Sequence, residues 1–383
     1  MLDSASEVFP DRPFTDTGDD RVASSPKSLA ARVFKFNQET YMFHPRQGIE
    51  KMKSPLEYEE LAKYPVTERE LVTDDRLGHH ANITLWEKKA DEGKPHYIVF
   101  SGRSGHWADS GDTPMPVPGY DRRAGLKFLA EIAKSGAGFT AVTMRGYGNN
   151  SGHPGEEGFK KDIEVLVRDW LDNQDRVPSH RLIVAGYSMG TANATMAAAE
   201  LTKQGEVPAL LALANPFSHM AKLADEFISK NPKAKEMKLY LPEEVLEQNK
   251  MLRHEFRSDD RLTELSPDTH VFIATSGKDS MIDPSHSKRL IRVARQHGLK
   301  VEEQPYPECG HLNLPMEDLA QRIRSAFEAS QEAAATPEAR INRLVNMRDG
   351  VYIPPHRYLL REPRQERHAR ERHADEPHGQ LTR

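Results

Sequence analysis

Cysteine is all but missing. Cys309 is the only one among 383 residues, which excludes an internal disulfide framework and a cysteine-ligated zinc site. No stretch of about 18 consecutive apolar residues occurs, so no transmembrane helix is expected. Charge of one sign is not in excess either. The 53 Lys and Arg stand against 58 Asp and Glu, a net charge of −5 that offers no basic footprint for nucleic acid. Met1-Leu2-Asp3-Ser4-Ala5 does not open the positive-then-apolar pattern of a cleaved signal peptide. These absences lead to the expectation of a soluble, cytoplasmic protein, with secretion lacking a cleavable signal as the alternative. Apolar residues make up 37% and aromatic residues 7%. With a mean hydropathy of −0.71, some of the length is expected to stay outside any core.

The polar surplus concentrates at the two ends. Residues 1–30 carry Asp3, Glu7, Asp11, Asp16, Asp19 and Asp20 with few large apolar groups, too little to offset the entropy of ordering, and are expected to be disordered. Residues 331–383 read as a polar extension. Within it Thr336-Pro337-Glu338 is a helix start, so a short helix is expected to reach Met347 before disorder resumes.

Between the ends, apolar runs of strand length alternate with segments of helical periodicity. Thr67–Thr73 and Ala81–Trp86 form a predicted hairpin. Strands follow at Tyr97–Phe100, Phe139–Met144, Leu182–Ala185, Leu210–Ala214, Val271–Thr275 and Lys300–Gln304. Helices are predicted at 121–135, 157–171, 191–201, 284–297 and 315–327, the second with Phe159, Ile163, Leu166 and Trp170 as its apolar stripe. Alternation with short connections predicts an α/β fold, a mostly parallel sheet covered by helices on both faces. One stretch breaks the rhythm. Residues 216–267 lie between two strands yet read as helical, with Leu223, Phe227, Val245, Leu246, Leu252 and Phe256 at stripe positions. A helical lid is expected there, with Phe227 and Phe256 on its inward face.

Chemistry concentrates at Gly186-Tyr187-Ser188-Met189-Gly190, a G-x-S-x-G motif between an apolar strand and a small-residue helix start. Glycines suit such a turn because neighbouring chain approaches closely there, lifting the serine hydroxyl clear of the sheet. Serine is a poor nucleophile near neutral pH and needs a base, itself oriented by an acid. In this arrangement the chain order is Ser, acid, His. His311, just after the last strand, is the candidate base. Asp279, at the end of the strand 271–275, is the favoured acid. Its rival Asp283 precedes Pro284 and is better explained as a helix N-cap. Charge developing on the substrate oxygen needs preset donors, one of them the backbone N–H of Met189.

These motifs resemble the serine α/β-hydrolases, nearest to the small-lid branch of depalmitoylase-like and monoacylglycerol-lipase-like enzymes. Met144-Arg145-Gly146-Tyr147-Gly148-Asn149-Asn150-Ser151-Gly152 resembles that branch's R-G-Y-G-x-S-x-G signature with one extra residue before Ser151. Glu156-Glu157-Gly158 and Asp162 continue the likeness, and Gly186–Thr191 is similar to its G-x-S-x-G-T elbow. Where the branch has H-G-N-A-G, this chain has Ser101-Gly102-Arg103-Ser104-Gly105, a serine in place of the histidine. The resemblance implies an α/β-hydrolase domain over residues 31–330, with the backbone of Arg103 as the second oxyanion donor. It implies a carboxylic ester or thioester hydrolase acting through an acyl-serine, needing no cofactor and no metal, on a small-molecule or lipid-like acyl ester. A serine peptidase or acyltransferase on the same fold, a catalytically idle binding module, and a secreted bacterial effector using the same chemistry are the alternatives.

Other residues carry less. Arg145 and Asp162 read as structural. His106 and Trp107 are candidates for a pocket wall or a surface loop. Cys309 lacks an elbow that would make it a nucleophile. His368, His373 and His378 recur every five residues, a spacing that does not stack them on one helical face, so no metal site is expected.

Overall fold

A computed structural model describes residues 43, 53–74, 80–102, 107, 121, 123–230, 254–334, 347–348 and 351–352. Strands β1 (Thr67–Asp74) and β2 (His80–Lys88) form the antiparallel hairpin. They are followed by β3 (His96–Phe100), α1 (Ala124–Lys134), β4 (Gly138–Thr143), α2 (Glu156–Asp172), β5 (Leu182–Tyr187), α3 (Met189–Lys203) and β6 (Leu210–Ala214). Then come α4 (Met220–Lys230), α5 (Ser258–Leu262), β7 (His270–Ser276), α6 (Ser285–Gln296), β8 (Lys300–Tyr306) and α7 (Met316–Ala334). An 8-stranded sheet has the order β1-β2-β4-β3-β5-β6-β7-β8. The pairs β1–β2 and β2–β4 are antiparallel and every later pair is parallel.

The central strands are apolar on both faces because helices cover both faces. All five residues of β3 are buried, and successive side chains enter opposite cores. Ile98 and Phe100 pack with the stripe Phe159, Ile163, Leu166 and Trp170 of α2, with α3, and with Leu290 of α6. Tyr97 and Val99 pack on the other face with Leu126 and Leu129 of α1 and Leu319 and Ile323 of α7. Each fully buried aliphatic or aromatic side chain contributes about 1.5–3 kcal/mol, so this two-sided burial fixes the strand order and the sheet edge on which the loops stand.

Several expectations shift. Helix α7 runs to Ala334, past the expected end near 327. Met347, the expected end of a C-terminal helix, lies in a two-residue strand, Met347–Arg348, paired antiparallel with Val351–Tyr352. The rest of the helix expected from Thr336 falls on residues 335–346, which lie outside the described residues. Residues 1–30 and 353–383, including the three spaced histidines, lie outside the described residues. Among the described residues, no helix is long and apolar enough to cross a membrane.

Of the expected lid, α4 and α5 are described, while Val245, Leu246, Leu252 and the side chain of Phe227 lie outside the described residues. Phe256 is fully buried, with ring centroids 6.0 Å from Phe43, 6.2 Å from Phe159 and 6.3 Å from Phe217. It is a core residue, not a pocket wall; apolar spacing alone does not say what a side chain packs against. The Glu156 carboxylate holds this return of the chain on α2, accepting from the Glu255 and Phe256 N–H groups at 2.6 and 3.0 Å and from Arg261 at 2.7 Å.

Candidate active site

The site begins at the turn from β5 into α3. Ser188 has φ 53° and ψ −121°, a conformation that costs a non-glycine residue about 1–3 kcal/mol and persists only when its surroundings enforce it. Its N–H donates to the Ala214 carbonyl at 2.9 Å. Its own carbonyl accepts from the Thr191 N–H at 3.0 Å and the Thr191 hydroxyl at 2.6 Å. Glycine is forced on either side. A Cβ on Gly186 would strike the Gly190 carbonyl, and one on Gly190 would strike the carbonyls of Phe100 and Ser101. The motif is therefore the residue set that lets β3, β5 and the start of α3 meet.

Two loops at the same sheet edge bring up the other groups. His311, in the loop after β8, has Nε2 2.8 Å from the Ser188 hydroxyl and Nδ1 2.6 Å from the Asp279 carboxylate. The second Asp279 oxygen accepts from the Met281 and Ile282 N–H groups at 2.9 and 2.8 Å. Buried charge needs such partners. The side chains of His311 and Asp279 are 4% and 2% exposed, so water hardly competes for the bond between them. Asp283 instead accepts from the Ser285 N–H at 2.9 Å in the first turn of α6. The helix starts at Ser285 with Pro284 at the N-cap position, so Asp283 stands one residue before the expected cap and holds the first turn from there.

Met189 opens α3, so its N–H is among the first four that lack an intrahelical acceptor, at the positive end of the helix. Gly102 leads the loop after β3 across the elbow, where a Cβ on it would lie 3.3 Å from the Tyr187 ring and 3.5 Å from Ser188 Cβ. Arg103 and His106 lie outside the described residues.

The remaining candidates separate by burial. Trp107 is buried in the core beneath α1, where its carbonyl leaves no room for a side chain on Gly125. Arg145 and Asp162 form a buried ion pair at 2.6 Å that also holds the Thr73 hydroxyl, bracing β1 against α2. Burial and the neighbouring Glu308 push the Cys309 thiol up, away from the thiolate a nucleophile needs. A second serine–histidine–acid contact went unnoticed in the sequence. Ser218 Oγ lies 2.9 Å from His286 Nδ1, and Glu226 lies 3.2 Å from His286 Nε2. Burial alone would raise the Glu226 carboxyl, but hydrogen bonds from His286 and Lys222 outweigh it and bring the carboxyl down to about 2. Ser218 is fully buried and has no elbow, so this cluster ties α4 to α6 and offers no exposed nucleophile. Sequence reasoning also passed over Tyr187 and Asn215, both of which donate to the backbone carbonyl of His311.

Comparison with known proteins agrees with this architecture. The family model described as the alpha/beta hydrolase fold matches residues 123–246. An uncharacterised protein of Mycobacterium tuberculosis is 26% identical over 167 residues, 43% of this chain and 51% of the relative. The chain thus matches about half the length of that curated relative. Among solved structures, an alpha-beta hydrolase from Vibrio vulnificus superposes with a TM-score of 0.52 at 16% identity, covering 82% of this chain and 98% of that one. An esterase from Pyrococcus furiosus superposes with a TM-score of 0.51 at 15% identity, covering 76% and 98%. Sheet order, elbow and these likenesses converge: the chain is an α/β-hydrolase-fold protein.

Proposed function

We propose that the chain is a serine hydrolase that cleaves a carboxylic ester or thioester through an acyl-Ser188 intermediate. One observation carries the reading: the continuous contact from Ser188 Oγ through the His311 ring to Asp279, at 2.8 and 2.6 Å. With Nδ1–H donating to the carboxylate, the Nε2 lone pair faces the serine hydroxyl and accepts its proton as Oγ attacks the substrate carbonyl. The tetrahedral oxyanion takes hydrogen bonds from the Met189 N–H and from a donor in the loop after β3, assigned by the resemblance to Arg103. Collapse breaks the bond to the leaving oxygen or sulfur, which takes the proton from Nε2. Water then enters as the second nucleophile and regenerates the hydroxyl. The reaction balances with water as the only co-substrate.

A panel of 4-nitrophenyl acetate, 4-nitrophenyl butyrate, an S-acyl thioester and a matched 4-nitroanilide tests the assignment. Turnover of the esters and the thioester is expected, with kcat in the ordinary enzyme range of about 1–10³ s⁻¹ for the best of them, and far slower release from the anilide. Faster cleavage of the anilide would favour the peptidase reading, and no turnover of any of the four would favour an idle binding module.

A further inference from the structure

We infer that Asn215, assisted by Tyr187, is the residue that positions the His311 base against Ser188 and Asp279. The inference rests on the serine-hydrolase reading and adds to it how three separate loops are kept in register. Asn215 lies one residue beyond β6, is buried, and has φ 47°. Asparagine is among the few side chains that enter this left-handed region readily. Its backbone N–H donates to the Ala274 carbonyl at 2.9 Å, carrying the β6–β7 ladder past the end of β6.

Its carboxamide then works in two directions. Oδ1 accepts from the Ser276 N–H at 2.9 Å, three residues before Asp279. That bond fixes which way the amide faces, so Nδ2 is the end that donates to the His311 carbonyl, at 3.3 Å. The carbonyl of the preceding residue, Ala214, accepts from the Ser188 N–H. Two consecutive residues therefore tie the chain at the nucleophile, the strand that carries the acid, and the loop that carries the base. Tyr187, the residue before Ser188, supplies a second hydrogen bond to the same His311 carbonyl. His311 stands in a loop with no strand pairing of its own, and its ring direction follows from where its backbone is held. Neither Asn215 nor Tyr187 touches the reacting atoms through these bonds. They are positioning residues.

The test uses the full chain and two variants. Asn215→Gly keeps the left-handed backbone at no steric cost and removes both side-chain bonds; Tyr187→Phe removes only the hydroxyl. A displacement of about 1 Å in a reacting group costs on the order of 100-fold, so Asn215→Gly should lower kcat for a short 4-nitrophenyl ester by about 10- to 100-fold. KM should stay within about threefold, because substrate contacts are untouched. The double variant should lose more than the product of the single losses, because both donors serve one carbonyl. A lower Tm with unchanged kcat and KM per folded molecule would make Asn215 a purely structural residue and overturn the proposal. Should Asn215→Gly not accumulate as folded protein, Asn215→Asp keeps the Ser276 bond, loses the donor to His311, and is judged by the same kcat criterion. Wild-type protein that turns over no ester would refute the serine-hydrolase reading itself. Active wild-type protein beside equally active Asn215 variants would refute the positioning role alone.

Discussion

Asp279→Asn should lower kcat for ester hydrolysis by about 10⁴-fold while leaving the fold intact. The argument follows the proton. The carboxylate accepts the Nδ1–H of His311 with one oxygen and the N–H groups of Met281 and Ile282 with the other. An asparagine can keep its oxygen toward those two N–H groups, which leaves its NH₂ facing the ring. Nδ1 must then accept, and the ring proton moves to Nε2, where it blocks proton uptake from Ser188. Geometry survives and function does not, because the tautomer is wrong. Asp283→Asn is the control. Its oxygen accepts the Ser285 N–H at 2.9 Å, a role asparagine fills equally well, so kcat and Tm should both stay near wild type. Steady-state kinetics and thermal melts of the two variants decide the matter, and the reverse pattern would transfer the acid's role to Asp283.

The second large effect concerns the nucleophile and base as a unit. Ser188→Ala and His311→Ala should each reduce kcat by about 10⁶-fold, and the double variant should lose no more than either alone. Once the hydroxyl is gone the ring has no proton to take, and without the ring the hydroxyl is not activated. Ser188→Ala should leave Tm within a few degrees, since only one oxygen on an elbow held by its own backbone bonds is lost. Losses that multiply in the double variant would mean that the two side chains act independently, contrary to the 2.8 Å contact between them.

The sheet was legible in the sequence because two-sided burial writes near-continuous apolar runs. Leu182–Tyr187 and Leu210–Ala214 are such runs, and both are strands. The elbow was legible for a related reason: only glycine fits where Gly190 meets the carbonyls of Phe100 and Ser101, so the crowding appears as a motif. Asp279 meets the His311 ring, while Asp283 stands one residue before the N-cap Pro284, a register that the Asp-Pro dipeptide alone did not give. What escaped was carried by long-range pairs. Asn215 meets His311 across 96 positions and Tyr187 meets it across 124, and neither has a spacing rule that could announce it. Phe256 had the right periodicity and a different neighbourhood, closed in by Phe43, Phe159 and Phe217. Ser218, His286 and Glu226 imitate the chemistry of the site in a buried place, which shows why residue types without an elbow do not define a nucleophile.

The central claim is that Ser188 is an activated nucleophile. Incubation of the native chain with a fluorophosphonate, followed by peptide mass mapping, tests it most directly. The account predicts one phosphonyl adduct per chain on the peptide containing Ser188, no adduct after heat unfolding, and none in Ser188→Ala. An adduct on Ser218 or Cys309, or no adduct on the folded native chain, would contradict it.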